Sequence, residues 1–483
     1  MSGPTTTRPN LALAVIVIGV LITAVDGTIV VLALPTMMRT LHTPLTSVVW
    51  IVMAYLLTMT LLATQVGRLG DVFGRIRMYQ AGFVIFIVGS ALCGVSTSWL
   101  GLVLARILQG IGGALIGANS GAVIADVFPP RQRGRAYGYN AIGWNLGAIL
   151  GILLGGFITT YFSWPWIFFI NVPIGILALG MARHAFSPDA SRHRHRFDVL
   201  GLVTLASGLS LWLLAMTRLA SRGWSHTTAL LSGLGLVGLL GFVGVESLQP
   251  EPLLHLSLFR IRTLTFSLLA AFFQGLGGFA VLFLIIMYLQ GVRNLTPLDA
   301  SLLLVPGYLV GAVVAPVAGR MADRVGPVTP ATVGLGLQAL AILVYAQVSV
   351  STPLIVVALA STLNGIGAAG FFPANTAAVM QDTPAGEYGI ASGMLRTFAN
   401  TGMVLSFALA LVMASTRIPR GLAFAIFVGS RHLNAHALSR FISGLHIALQ
   451  LSIVALVLAA IGSVVRSQPA AMAAADSKRA TGC

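Results

Sequence analysis

Asp26 stands in the middle of the apolar run Leu11 to Pro35, and Arg106 lies within another, Leu100 to Ile124. Asp26 is the one acidic residue deep inside any such run, because Asp71, Asp126, Asp198, Asp299, Asp323 and Asp382 all fall at run ends or in polar breaks. A lone carboxyl in hydrocarbon is costly when ionised, so it should face a partner or a wet cavity. Hydrocarbon disfavours its charged form and a nearby cation favours it, a balance that suits a reversible proton site. The alternative is a protonated Asp that only packs helices. Arg106 lies seven residues after Trp99, and Asp26 nine before Pro35. If the two runs are helices of opposite direction, a rise of 1.5 Å per residue puts both side chains roughly 10–14 Å below the same surface. They can then pair, so that protonation of Asp26 loosens Arg106. An arginine satisfied by backbone carbonyls for packing alone is the competing account.

The elements that position these residues follow from composition. Of 483 residues, 57% are hydrophobic and 8% charged, too little polar surface to cover a water-soluble globule. Apolar runs of about 20 residues with short polar breaks are helical rather than barrel patterning, so the chain is an all-α integral membrane protein. Fourteen spans are expected: Leu11–Pro35, Val48–Val66, Met78–Val95, Leu100–Ile124, Ala136–Tyr161, a sixth from Trp164 and Trp166 to near Arg183, Val199–Met216, Thr228–Val245, Leu264–Leu289, Ala300–Ala318, Val328–Val348, Pro353–Met380, Ile390–Ala414 and Leu445–Val465. The net charge of +16 sits in short interhelical loops, where insertion topology and anionic headgroups explain it. Nucleic acid is therefore excluded as a partner. Cys93 and Cys483 form no disulfide framework. Arginines 68, 75, 77, 131, 133, 135, 260, 262, 320 and 324 share one side, which the positive-inside rule makes cytoplasmic, with both termini. Arg417, Arg420, Arg431 and Arg440, in the outer break 417–443, run against that trend. A short interfacial helix is expected there over Leu422 to Val428.

The chain is duplicated. Gly67-Arg68-Leu69-Gly70-Asp71-Val72-Phe73-Gly74-Arg75-Ile76-Arg77, expected to be a loop, is partly repeated as Gly319-Arg320-Met321-Ala322-Asp323-Arg324-Val325-Gly326. Leu108-Gln109-Gly110-Ile111-Gly112 is echoed by Leu363-Asn364-Gly365-Ile366-Gly367, and Asn145-Leu146-Gly147 by Asn400-Thr401-Gly402. Spans one to six thus match nine to fourteen. This divides the chain into a six-helix half (1–186), an inserted helix pair with its loops (187–262), a second half (263–467) and a cytoplasmic tail (468–483). Two parallel halves with a site between them is transporter architecture.

These stretches resemble the fourteen-span drug–proton antiporters of the major facilitator superfamily, the EmrB/QacA-like branch, over nearly the whole length. The Gly67–Arg77 stretch resembles the superfamily's motif A, Asp26-Gly27-Thr28-Ile29-Val30 with Ala33-Leu34-Pro35 the branch's first span, and Arg106 with Gln109-Gly110 motif B. Trp166-Ile167-Phe168-Phe169-Ile170-Asn171-Val172-Pro173 resembles its sixth span. Gly147, Gly151, Gly155 and Gly156 resemble the antiporter motif C, with Ile152 where the family usually has proline. The resemblance implies proton-coupled export of small lipophilic or cationic compounds across a prokaryotic plasma membrane, with Arg106 in proton coupling. The missing proline weakens export and leaves open a lipid, metabolite or nutrient as cargo.

Gly67, Asp71, Gly74, Arg75 and Arg77, with Asp323 and Arg324 in the echo, are the expected cytoplasmic gate: charges that meet helix ends in one state and part in another. The second gate should be weaker, since Pro327 and Thr329 replace Arg75 and Arg77. Tyr55, Gln109, Asn119, Trp144, Asn145, Gln274, Tyr288, Phe371, Asn375 and Asn400 are the candidate substrate lining, against helix packing as the alternative for each. Arg396, about two turns from the cytoplasmic end of its span, is expected to snorkel. The Arg192–Arg196 run with His193 and His195 reads as a solvated loop rather than a metal site. No Walker loop is present, and no cofactor is expected. Expected partners are protons, a small molecule and membrane lipids, for a monomeric chain. A membrane-embedded enzyme or a non-transporting sensor is the alternative from another class, disfavoured because one buried acid supplies little acid–base machinery; His446 is left without a role.

Overall fold

The computed structural model describes residues 8–186, 198–249, 254, 256–384, 387–416 and 435–466. All of its regular structure is helical, and fourteen helical stretches among the described residues are long and apolar enough to cross a membrane. The first half comprises α1 (Pro9–Thr40), α2 (Leu45–Phe73), α3 (Arg75–Val95), α4 (Trp99–Val127), α5 (Pro130–Tyr161), α6 (Trp166–Phe169) and α7 (Asn171–Ala185). The last two form one span, broken at Ile170. The pair α8 (Val199–Arg222) and α9 (His226–Leu248) follows. Then come α10 (Arg262–Met287), closed by a π turn at Tyr288–Val292, α11 (Pro297–Val325), α12 (Val328–Tyr345), α13 (Leu354–Gln381), α14 (Tyr388–Ser415) and α15 (Ala435–Val465).

The helices outrun the expected spans. At 1.5 Å per residue, 29 residues of α2 make about 43 Å, against a hydrocarbon core of about 30 Å. The polar stretch 67–77 is therefore not a loop. Its first seven residues are the overhanging end of α2, Gly74 alone turns the chain with φ 99°, and α3 begins at Arg75. The echo behaves alike: α11 runs through Val325, and Gly326 turns at φ 85°. The break between α4 and α5 shrinks to Phe128 and Pro129. The last span starts earlier than its apolar run, taking in Ala435–Ser443 of the expected outer break. Residues 417–434, with the expected Leu422–Val428 helix, the 187–197 arginine run and the 467–483 tail lie outside the described residues.

Packing repeats with the sequence. In the first half α1 packs on α5 and α7, and α4 packs on α2 and α3; in the second, α10 packs on α14 and α15, and α13 on α11 and α12. The halves meet through α5 on α11 and α2 on α14. α8 lies against α2 and α14, and α9 against α8. Gln65 Nε2 donates to the Asp198 carbonyl at 2.9 Å, tying α2 to the start of α8.

Close approach of α1 and α5 depends on missing side chains. A Cβ on Gly147 would stand 2.6 Å from the Leu21 carbonyl oxygen, on Gly151 2.6 Å from that of Val25, and on Gly155 2.9 Å from that of Ile29. Spacing of four puts the three glycines on one face of α5. Gly156, on the adjoining face, instead meets Pro297 and Ser301 of α11, so one residue of register separates contact within the half from contact between halves. With Ile152 in place of proline, α5 is continuous, and Ile152 is fully buried.

Candidate functional site: a buried charge cluster in the first half

Asp26 on α1 and Arg106 on α4 form an ion pair through Oδ2 and Nη1, with neither side chain accessible to solvent beyond 1%. The antiparallel directions of α1 and α4 bring the two residues to one depth. Both carboxylate oxygens of Asp26 are engaged. Asp26 Oδ1 accepts from Gln109 Nε2 at 2.8 Å and from Asn171 Nδ2 at 3.3 Å. Arg106 donates from Nε to the Ile51 carbonyl at 2.9 Å and from Nη1 to Gln109 Oε1 at 2.8 Å, and its guanidinium lies 4.1 Å from the Tyr55 ring centroid. Ser90 Oγ donates to the Phe168 carbonyl at 2.8 Å and accepts from Gln109 and Asn171. These added hydrogen bonds help such a pair offset its desolvation cost.

The cluster has no charged counterpart in the second half. The echo Leu108-Gln109-Gly110 to Leu363-Asn364-Gly365 places Ser361 where Arg106 stands. Gly147 packs on the Leu21 carbonyl and Gly402 on that of Phe272, so Asp26, five residues past Leu21, corresponds to Gly277. A neutral chain runs there instead, Gln274 Nε2 to Gln338 Oε1 at 3.2 Å and Gln338 Nε2 to Asn364 Oδ1 at 3.4 Å.

The other expected site residues separate into groups. Tyr55 and Gln109, expected to line a cavity, belong to the charge cluster and are buried. Asn119, Gln274, Tyr288, Phe371 and Asn375 are enclosed in packing: Asn119 Nδ2 bonds the Leu115 carbonyl, Tyr288 Oη that of Ser349, and Asn375 Nδ2 that of Ser267. Trp144 and Asn400 are half-buried and Asn145 exposed. Asn171 and Ser90 are cluster members that sequence reasoning missed. Asn171 was visible only inside a family-like stretch, and Ser90 carried no signal because serines are common in spans.

At the end of the bundle where α2 turns into α3, Arg75 makes a two-pronged contact with Asp126, 2.9 and 3.0 Å, with both side chains about a third exposed. Arg75 opens α3 and Asp126 lies in the last turn of α4, so each sits at the helix end that its charge disfavours, and the pairing compensates both. This contact joins two helices of one half. Arg77, Asp323 and Arg324 are exposed, and among the described residues they make no ion pair. Asp71 and Gly67 fall outside the described side-chain positions. In the second half Arg466 clamps the same end, donating to Asn375 Oδ1 at 2.7 Å, Ser267 Oγ at 3.1 Å and the Pro327 carbonyl at 3.0 Å.

At the start of the sixth span Trp164 is buried edge-on against Phe168, and Trp166 is exposed. Arg396 does not snorkel. It reaches across to the other half, donating from Nη1 to the Gly117 carbonyl on α4 at 3.3 Å, because α14 presents it to the seam with α2 and α4 rather than to lipid. His446 Nε2 lies 2.8 Å from the Val348 carbonyl, a helix-to-loop tie.

A duplicated bundle of membrane-spanning helices with a buried ion pair in one half defines a polytopic secondary transporter rather than an enzyme. The comparisons agree and name the family: residues 16–407 match the profile of the Major Facilitator Superfamily, and the chain belongs to it. It is 29% identical over 416 residues to the riboflavin transporter RibZ of Clostridioides difficile, covering 86% of this chain and 89% of that protein. It is 31% identical over 421 residues to the tetracenomycin C resistance and export protein of Streptomyces glaucescens (85% and 77% covered), and 28% identical over 397 residues to the multidrug transporter MdtP of Bacillus subtilis (82% and 73%). Among solved structures, a bacterial homologue of the human lysosomal transporter Spinster superposes with a TM-score of 0.67 at 16% identity, covering 97% of this chain and 98% of that one. That likeness is one of fold.

Proposed function

We propose that the chain is a proton-coupled exporter of small lipophilic compounds, in the fourteen-span drug-antiporter branch, working by alternating access. The observation that carries this reading is the Asp26–Arg106 pair, fully buried and confined to one half. Protonating Asp26 removes the charge that Arg106 faces and leaves the guanidinium with Gln109 Oε1 and the Ile51 carbonyl. A buried cation without its counter-ion is costly, so protonation drives a rearrangement that brings Arg106 to water or another acceptor. α1 and α4 hold the pair, and they pack on α5 and α2, the helices through which the halves meet. A multidrug transporter and a tetracenomycin C resistance and export protein among the relatives support the cargo class. Both Asp26 oxygens are taken in this conformation, so the carboxylate offers no free charge to a cationic cargo.

The division into halves at 1–186 and 263–467, the cytoplasmic termini and a monomeric working unit in the plasma membrane belong to this proposal. The test is substrate efflux from proteoliposomes under an imposed pH gradient. Flux that ignores the gradient would overturn it. A second reading, transport of a metabolite or nutrient, is favoured by the relative named a riboflavin transporter, and the direction of gradient-driven flux separates an importer from an exporter.

A further inference from the structure

We propose that Arg396 is the docking cation for an acidic group on the transported molecule, so that the cargo class includes amphipathic organic acids. This rests on the transporter reading above. Away from helix ends, the described spans hold two arginines that turn toward the protein, the fully buried Arg106 and the half-buried Arg396. The first is neutralised by Asp26. The second has no acidic partner within ion-pair distance among the described residues, and its one hydrogen bond is the 3.3 Å contact to the Gly117 carbonyl. A guanidinium has five N–H donors, so the protein leaves most of its bonding capacity unmet.

Its position fits a ligand better than a strut. Arg396 lies eight residues into α14, about 12 Å along the axis. It meets α4 ten residues from that helix's cytoplasmic end, in the seam between halves where alternating access exposes cargo. A Cβ on Gly117 would stand 3.8 Å from Arg396 Nη1 and 3.9 Å from the Met59 methyl, so the absent side chain leaves space beside the cation with an apolar wall. One turn farther along the same face, Asn400 is half-buried and makes no hydrogen bond among the described residues. A planar fork of donors, an amide one turn away and an apolar wall suit a carboxylate or phosphate ester carried on an apolar body. An intramembrane cation kept without a counter-ion is expensive for packing alone.

The test uses the full-length protein in detergent, without a pH gradient. Binding of 2-naphthoate, laurate and 2-naphthyl phosphate is compared with that of the methyl ester or alcohol of each, in the wild type, Arg396→Gln and Arg396→Lys. The expected result is a preference of about tenfold for at least one anion over its neutral counterpart. Arg396→Gln should abolish that preference at unchanged affinity for the neutral probe, and Arg396→Lys should keep part of it. No anion preference in the wild type, or the same preference in Arg396→Gln, overturns the assignment, as does equal loss of anion and neutral binding, which marks a structural strut. If Arg396→Gln fails to purify, wild type against Arg396→Lys decides, and an identical anion preference in the two overturns the role of the fork. Loss of gradient-driven flux with the anion preference intact would sink proton coupling and leave this site standing.

Discussion

Arg106 reaches from α4 to Asp26 on α1 inside a shell that also engages Gln109, Asn171 and Ser90, and the corresponding positions of the second half are Ser361 and Gly277. The duplication thus supplied two scaffolds, and one was loaded with charge. On the proton-coupled function proposed above, one titrating site suffices when one half can be biased against the other.

Asp26→Asn keeps the shape and the hydrogen bonds from Gln109 and Asn171 while removing the titrating group. Efflux driven by a pH gradient in proteoliposomes should fall by about tenfold or more, with substrate binding retained. Unchanged gradient-driven efflux would remove Asp26 from the coupling role.

Arg106→Gln leaves a buried carboxylate without its counter-ion, a change that costs about 3–5 kcal/mol in such settings. Asp26→Asn added to it should restore most of the lost stability, because both charges are then gone. Thermal melts in detergent check the order: the double variant should melt above the single one, and the reverse order contradicts the pairing energetics.

Gly151→Val would drive a branched side chain into the Val25 carbonyl and separate α1 from α5. Folded yield should collapse, whereas Gly138→Ala, with nothing within 4 Å of its added Cβ, should behave as wild type. Size-exclusion profiles of the two variants make the comparison, and a monodisperse Gly151→Val peak at wild-type yield would refute close α1–α5 packing.

The Arg75–Asp126 contact is a third exposed, and its contribution to stability should be under about 1 kcal/mol in a double-mutant cycle. Its effect on transport should exceed its effect on melting. The swap Arg75→Asp with Asp126→Arg, which also places each charge at the favourable helix end, should recover more activity than either single change. Failure of the swap to exceed both singles counts against a charge latch.

Arg466→Ala strips partners from Asn375, Ser267 and the Pro327 carbonyl at one end of the second half. Buried acceptors left unmet cost about 1–3 kcal/mol each. The melting temperature should drop clearly, while Arg324→Ala, an exposed side chain, should leave it unchanged.

Much of this molecule was legible before any coordinates. Fourteen spans follow from hydropathy, because in hydrocarbon every backbone group must be met within its own helix. The repeated packing of α1 on α5 and α10 on α14 follows the echoes at Gly67 and Gly319, Gln109 and Asn364, and Asn145 and Asn400. Asp26 and Arg106 were legible because charge in an apolar run is rare enough to need a reason, and a fixed rise per residue placed them at one depth. Direction around a helix was not legible. Periodicity is weak in a helix surrounded by lipid and protein alike, so the sequence did not say that Asn375 and Tyr288 face packing, that Arg396 turns to the seam, or that Asn171 closes the cluster. Only the packed arrangement decided these, because which face a membrane helix buries is set by its neighbours rather than by its own pattern.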